Sequence, residues 1–138
     1  MIRNLKKVEI AVVSEMYEKI MSPHFIAVGE EPISAVEYQK RVARRFGKDS
    51  MCVLDDGRIK GFLWFFKEDD EINIEELFVT EDGKGYGKEL MNFILELAKK
   101  EKIKKINLDV HFKNNHAMEF FRKFGFSERT IEFSLDLD

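Results

Sequence analysis

The chain has 138 residues, a formal net charge of −3, 44% apolar and 36% charged residues, and a single Cys. This composition excludes a disordered chain and an intramolecular disulfide, and it argues against a Cys-based zinc site. The length supports one domain over residues 1–138, large enough to bury about two-thirds of its unfolded surface without staples.

No apolar run reaches the ~18 residues of a membrane span, and Met1–Glu9 lacks the apolar block of a secretory leader. A cytoplasmic protein with no membrane partner is the expectation. Mild acidity argues against nucleic acid as the main partner.

Ile2–Lys6 reads as a short strand. Val8, Ala11, Val12, Met16 and Ile20 recur at helical spacing, so Val8–Met21 is read as a helix. Pro23, Gly29 and Pro32 make Ser22–Ile33 a loop in this reading. Ser34 and Glu37 form a capping-box pair that opens a second helix, with Gly47 fitting its end. Met51–Leu54 and Ile59–Lys67 are strands joined by a tight turn at Asp56-Gly57. Gly61–Phe66 is apolar throughout, which places that strand under cover on both faces. Cys52 belongs to the core in the same reading, as do the aromatics of 62–66. Glu71–Val79 is the next strand.

A glycine-rich turn, Glu81–Gly87, leads into an amphipathic helix carrying Leu90, Met91, Phe93, Ile94, Leu97 and Ala98. Ile103–Val110 is then a strand. Asn114 or Asn115 caps a short helix through Lys123, stopped by Gly125. Ile131, Phe133, Leu135 and Leu137 alternate with polar residues, the pattern of a half-buried strand. The strand–helix–strand unit from Glu71 to Val110 requires a parallel crossover, so the fold class is α/β with a mixed sheet.

The segment Gly83-Lys84-Gly85-Tyr86-Gly87-Lys88 sits between a strand and a helix N-terminus. Three alternating Gly let several backbone N–H groups converge. The helix dipole and two Lys add positive potential, the requirements of a phosphate or pyrophosphate. Two familiar loops are excluded. Lys88 is followed by Glu89 rather than Ser or Thr, so this is no P-loop, and the third glycine of a dinucleotide fingerprint is missing.

Two segments together carry a resemblance. Leu77-Phe78-Val79 followed by Asp82-Gly83-Lys84-Gly85-Tyr86-Gly87 is similar to a coenzyme A motif, R/Q-x-x-G-x-G/A. Asn114-x-x-Ala117-x-x-x-Phe121-x-Lys123-x-Gly125-Phe126 is similar to N-x-x-A-x-x-x-Y-x-K-x-G-F. On these segments the chain resembles the GCN5-related N-acetyltransferase (GNAT) family. The resemblance implies a GNAT fold whose Leu77–Val79 strand splays from Leu108–Val110. It implies acetyl-CoA as cosubstrate, its pyrophosphate held by residues 83–88. Its pantetheine arm would lie along Leu77, Phe78 and Val79, with Asn114 and position 121 beside it. It also implies acetyl transfer to a primary amine in a ternary complex, with no metal. Dimers are common in that family, so a homodimer is a further expectation.

This sequence departs from the pattern in three places. Asp82 stands where the family has Arg or Gln. The turn from Val79 to Gly83 is about two residues short. Phe121 stands where the family has a Tyr that often protonates the departing thiolate, and Phe cannot donate a proton. That third departure keeps open a non-catalytic module that binds acetyl-CoA as a ligand.

Acetyl transfer also needs a base for the amine. Simple alternation puts Asn73, Glu75, Leu77 and Val79 on one strand face and Glu76 and Phe78 on the other. Glu75, Glu76, Asp109 and His111 form the pool, ranked with Glu75 first and Asp109 second. Glu30, Glu31 and Glu68–Glu71 fit a cationic acceptor, although charged loops are commonly just solvated.

Overall fold

Three consecutive antiparallel strands form the centre of the sheet. β2 (Ser50–Asp55), β3 (Ile59–Glu68) and β4 (Glu71–Val79) are joined by short turns, the first at Gly57, whose φ of +83° a side chain would resist. β1 (Ile2–Asn4) pairs antiparallel with β2 on one side. β5 (Lys105–Asn107) pairs parallel with β4 on the other, giving the order β1-β2-β3-β4-β5. The computed structural model describes residues 1–137.

Helices cover both faces, as the unbroken apolar run of β3 requires. α1 (Ile10–Ala27) and α2 (Ala35–Arg45) cover one face. There Val13, Tyr17, Tyr38 and Val42 pack with Val53, Phe62, Trp64 and Phe78. Trp64 Nε1 keeps its hydrogen bond by donating to Asp49 Oδ2 at 2.9 Å. α3 (Tyr86–Lys100) covers the opposite face, with Leu90, Met91 and Ile94 against Leu63, Phe65, Ile72 and Ile74. α4 (Asn115–Lys123) adds Phe120 and Phe121 to the rim of this second core. Gly61 permits close approach of α3, because a Cβ there would come within 2.9 Å of Leu90. Cys52 is a buried thiol in the second core.

The expected α/β class and mixed sheet are present. The Ser34 hydroxyl caps α2 by accepting from the Glu37 N–H at 3.1 Å. Three expected elements are altered. The first helix does not stop at Met21 but runs through Pro23 to Ala27. Proline costs that helix a hydrogen bond, yet Pro23 is exposed and Phe25 is held in the first core, 6.4 Å from Tyr17. Packing overrides the breaker, and the helix ends before Gly29, at φ +80°. The Ile103–Val110 strand is reduced to Lys105–Asn107, because β4 turns away beyond that point. The C-terminal strand is not formed: Ile131–Leu137 pairs with nothing, and its apolar side chains stand in solvent.

Candidate functional site

The site begins with an irregularity in β4. Trp64 is paired with Glu76, but Phe65 is paired with Ile74, so Glu75 is an extra residue in the strand. Such a bulge bends its strand and exchanges its two faces. Before it, Ile72 and Ile74 point to the α3 side; after it, Leu77 and Val79 do. Glu76 and Phe78 therefore point to the α1/α2 side. Simple alternation is corrected here. Asn73 does not share a face with Leu77, and Glu75, at the bulge, is exposed to solvent.

The same bend opens the sheet. The β4–β5 ladder runs Glu71–Lys105, Ile72–Ile106, Asn73–Asn107 and then ends. Asn107 Nδ2 closes it by donating to Glu71 Oε1 at 2.7 Å and to Asn73 Oδ1 at 3.3 Å. Beyond this pair, Leu77–Val79 and Leu108–Val110 share no ladder. Backbone N–H and C=O groups along this cleft are left to be satisfied by something else.

At the open end of β4 lies the glycine loop. Gly83 and Gly85 adopt φ of +77° and +81°, and a Cβ at either would meet nothing within 4 Å. Gly85 is the N-cap of α3, and the Glu89 N–H is the donor to its carbonyl, at 3.0 Å. The N–H groups of Tyr86, Gly87 and Lys88 lie in the first turn, where a helix has no carbonyls to offer. A recess of about 420 Å³ opens here, lined by Lys84, Gly85, Tyr86 and Lys88, with Asp56 and Glu89 also at its wall. Asp82 is turned to solvent, 80% exposed, with His116 Nε2 3.9 Å away. Gly87 faces α4, where a Cβ would lie 3.3 Å from the Phe120 ring.

α4 borders the cleft from below. Asn114 caps it, Oδ1 accepting from the Ala117 N–H at 3.1 Å, so this side chain is committed to holding the helix. Phe121 is half-buried and packs edge-on against Phe126, with ring centroids 5.7 Å apart. Asp109 is exposed and lies toward the outer side of β5. His111 Nδ1 accepts from the Lys113 N–H at 3.2 Å, and Nε2 is 3.6 Å from Glu30, in the loop between α1 and α2.

The α1/α2 side of the cleft holds the group that sequence ranking passed over. The Tyr38 hydroxyl donates to Glu76 Oε1 at 3.4 Å, and the Tyr17 ring stacks on Tyr38 at 3.6 Å with 3° between planes. Burial pushes the Glu76 carboxyl up to about 8, with the neighbouring Glu75 charge adding to the rise and the Tyr38 bond opposing it. Burial drives both tyrosine hydroxyls well above their ordinary range. The available signal was the tandem Glu75-Glu76: one of two adjacent acids in a doubly covered strand is directed under the helices.

Among the described residues, no group of three or more His, Cys, Asp or Glu is placed to hold a metal ion. No helix of the described residues is long and apolar enough to cross a membrane.

Comparison with known proteins places this geometry. The family model of the acetyltransferase (GNAT) family matches residues 13–126. An uncharacterized N-acetyltransferase of Methanocaldococcus jannaschii is 38% identical over 60 residues, 42% of this chain and 26% of that protein. The match thus spans about a quarter of the length of that relative. PaiA N-acetyltransferase from Thermoplasma acidophilum, solved in complex with coenzyme A, superposes with a TM-score of 0.79 at 18% identity. That superposition covers 96% of this chain and 92% of the other. A ribosomal-protein-alanine N-acetyltransferase of Escherichia coli gives 0.78 at 18% identity, covering 94% and 79%. At these identities the superpositions speak for the fold. The chain belongs to the GNAT acetyltransferase family.

Proposed function

We propose that this member of the GNAT family transfers an acetyl group from acetyl-CoA directly to an amine within a ternary complex. The observation that carries the reading is the parting of β4 from β5 beyond Asn73–Asn107, beside the glycine-bearing N-terminus of α3. Pantetheine has two amides, which match the unpaired backbone edge of Leu77, Phe78 and Val79 as an added strand would. The pyrophosphate goes to the amides of residues 83–88, with Lys84 and Lys88 supplying charge. Asn114 holds α4 at the cleft floor.

In the transfer, the amine nitrogen attacks the thioester carbonyl carbon, the C–S bond breaks and CoA leaves as thiolate. The amine proton goes to a carboxylate on β4. Glu76 is the best-suited acceptor: a carboxyl titrating near 8 is a stronger base than an ordinary one and gains most by taking a proton. Glu75 and Asp109 are exposed, and they are assigned to the approach of a cationic amine.

Phe121 favours a second reading, a non-catalytic module that holds acetyl-CoA as a ligand, since it offers no proton to the thiolate. The test is release of free CoA thiol from acetyl-CoA with polyamines, amino acids and peptides bearing free amines. Amine-dependent release supports the transferase. Tight CoA binding with no release across the panel supports the module instead, and absence of CoA binding removes both.

A further inference from the structure

Among the described residues, Thr80 Oγ1 is the one buried side-chain oxygen or nitrogen that has no hydrogen-bond partner. Other enclosed hydroxyls do not share this condition: Ser14 is fully buried, and its Oγ donates to the Ile10 carbonyl at 2.7 Å. An unpaired buried hydroxyl bears the full cost of its lost water, so native chains rarely keep one without a use. Valine has the same shape without the hydroxyl, so packing alone does not call for Thr at this position.

Thr80 directly follows β4. Its N–H donates to the Lys60 carbonyl at 2.9 Å, which continues the pairing with β3 by one residue. The amide is thus spent on β3, and the hydroxyl is the donor that Thr80 has left. A Thr hydroxyl can bond a neighbouring backbone group, and this one does not. The polar side chains beside it, Lys60 across the pairing and Glu81 along the chain, face each other as an ion pair at 3.6 Å. The position of the orphan gives it a use. Thr80 stands between Leu77–Val79, the strand end that has parted from β5, and Gly83, where the glycine loop begins. In the acetyl-CoA reading these are the seats of the pantetheine arm and of the pyrophosphate. Where the arm passes to the pyrophosphate, CoA carries closely spaced oxygen acceptors, the phosphate ones charged.

We infer that the Thr80 hydroxyl donates to an oxygen of bound CoA at this junction, a role that rests on the acetyl-CoA reading above. The experiment is calorimetry with CoA, together with melting of the ligand-free chain, on the parent, Thr80→Val and Thr80→Ser. Thr80→Val should melt at or above the parent temperature without ligand, because an unpaired group has been removed. Its CoA Kd should nevertheless rise about tenfold, the worth of one hydrogen bond to a charged oxygen. Thr80→Ser keeps the hydroxyl and should bind CoA more tightly than Thr80→Val; equal weakening in both overturns the role. Parental affinity in a folded Thr80→Val overturns it as well. So does a lower ligand-free melting temperature in Thr80→Val, which would mean that the hydroxyl is already paired without CoA. If the parent itself does not bind CoA, the acetyl-CoA reading falls and this role with it. A parent and a Thr80→Val that bind CoA equally remove the role alone.

Discussion

The Tyr38 hydroxyl of α2 reaches across the sheet face to donate to the Glu76 carboxylate of β4, 3.4 Å away. The bond is long, and a phenol is a modest partner for a partly buried carboxylate. The carboxyl therefore remains protonated to about pH 8 rather than ionising in the ordinary carboxylate range.

That shift has a definite sign in stability. Between about pH 4.5 and 8 the folded chain keeps the Glu76 proton and the unfolded chain has lost it. The unfolded state binds fewer protons there, so stability falls as pH rises. The contribution is complete below the unfolded value and gone above the folded one. Glu76→Gln keeps the shape and cannot ionise. Its melting temperature should match the parent near pH 5 and exceed it near pH 9. Equal temperatures at both pH values would show that Glu76 is not ionising in a buried place.

Activity should run in the opposite direction. If Glu76 takes the amine proton, it must first be ionised, so kcat should rise with an inflection near pH 8. Glu76→Gln should remove that inflection and lower kcat by about 10²-fold or more, with the acetyl-CoA Kd unchanged. Glu75→Gln and Asp109→Asn should change KM for a cationic amine by a few-fold and leave kcat near the parent. Should Glu75→Gln or Asp109→Asn carry the loss in kcat instead, the base is that residue and Glu76 serves to position Tyr38.

The cosubstrate loop gives a binding test. Gly85 sits at φ +81° with open space around its Cβ position. In Gly85→Val the backbone must strain, or the loop must leave this conformation, since a β-branched residue disfavours it by about 1–2 kcal/mol. The amides of Tyr86, Gly87 and Lys88 then lose their common aim. Calorimetry should report CoA binding weakened by about tenfold or more. A folded variant with parental affinity would move the pyrophosphate away from this loop.

Much of this geometry was legible in the sequence, and the exceptions share a cause. The glycine loop, the Ser34 and Asn114 caps and the parallel unit around α3 are local patterns, fixed by residues a few positions apart. The bulge at Glu75 is not. It comes from fitting β4 to Phe65 and Trp64 of β3 while both faces are packed by helices, and no period-2 count contains it. Glu76 was thus placed on the correct face but ranked below its neighbour, because ranking by strand position cannot see Tyr38 and Tyr17 closing over it. Pro23 misled for a related reason: the breaker is local, and the Phe25 packing that outweighs it is not. Alternation at Ile131–Leu137 marked a strand, but alternation does not supply an edge to pair with, and among the described residues the segment pairs with none.

Phe121 sets the last prediction. It lies on α4 against Phe126 and lines the groove outside β5, where its relatives are expected to carry a hydroxyl. Phe121→Tyr adds one oxygen at the para position. If thiolate departure limits turnover, that oxygen supplies an acid and the rate can rise by as much as the ~10²–10⁴-fold of general acid catalysis. If deprotonation of the amine limits turnover, nothing is gained, because a thiolate is stable enough to leave unassisted. Glu76 argues for the second case: a base that must itself ionise near pH 8 makes proton removal the scarce event at neutral pH. A gain of less than tenfold is therefore expected at pH 7. Phe121 is half-buried among Phe120 and Phe126, so an unpaired hydroxyl there costs stability, about 1–3 kcal/mol if water cannot reach it. Measuring turnover and melting temperature on the same sample separates the two effects. A hundredfold gain would place the bottleneck at the thiolate and make the parent chain a catalyst lacking its acid, which strengthens the binding-module reading.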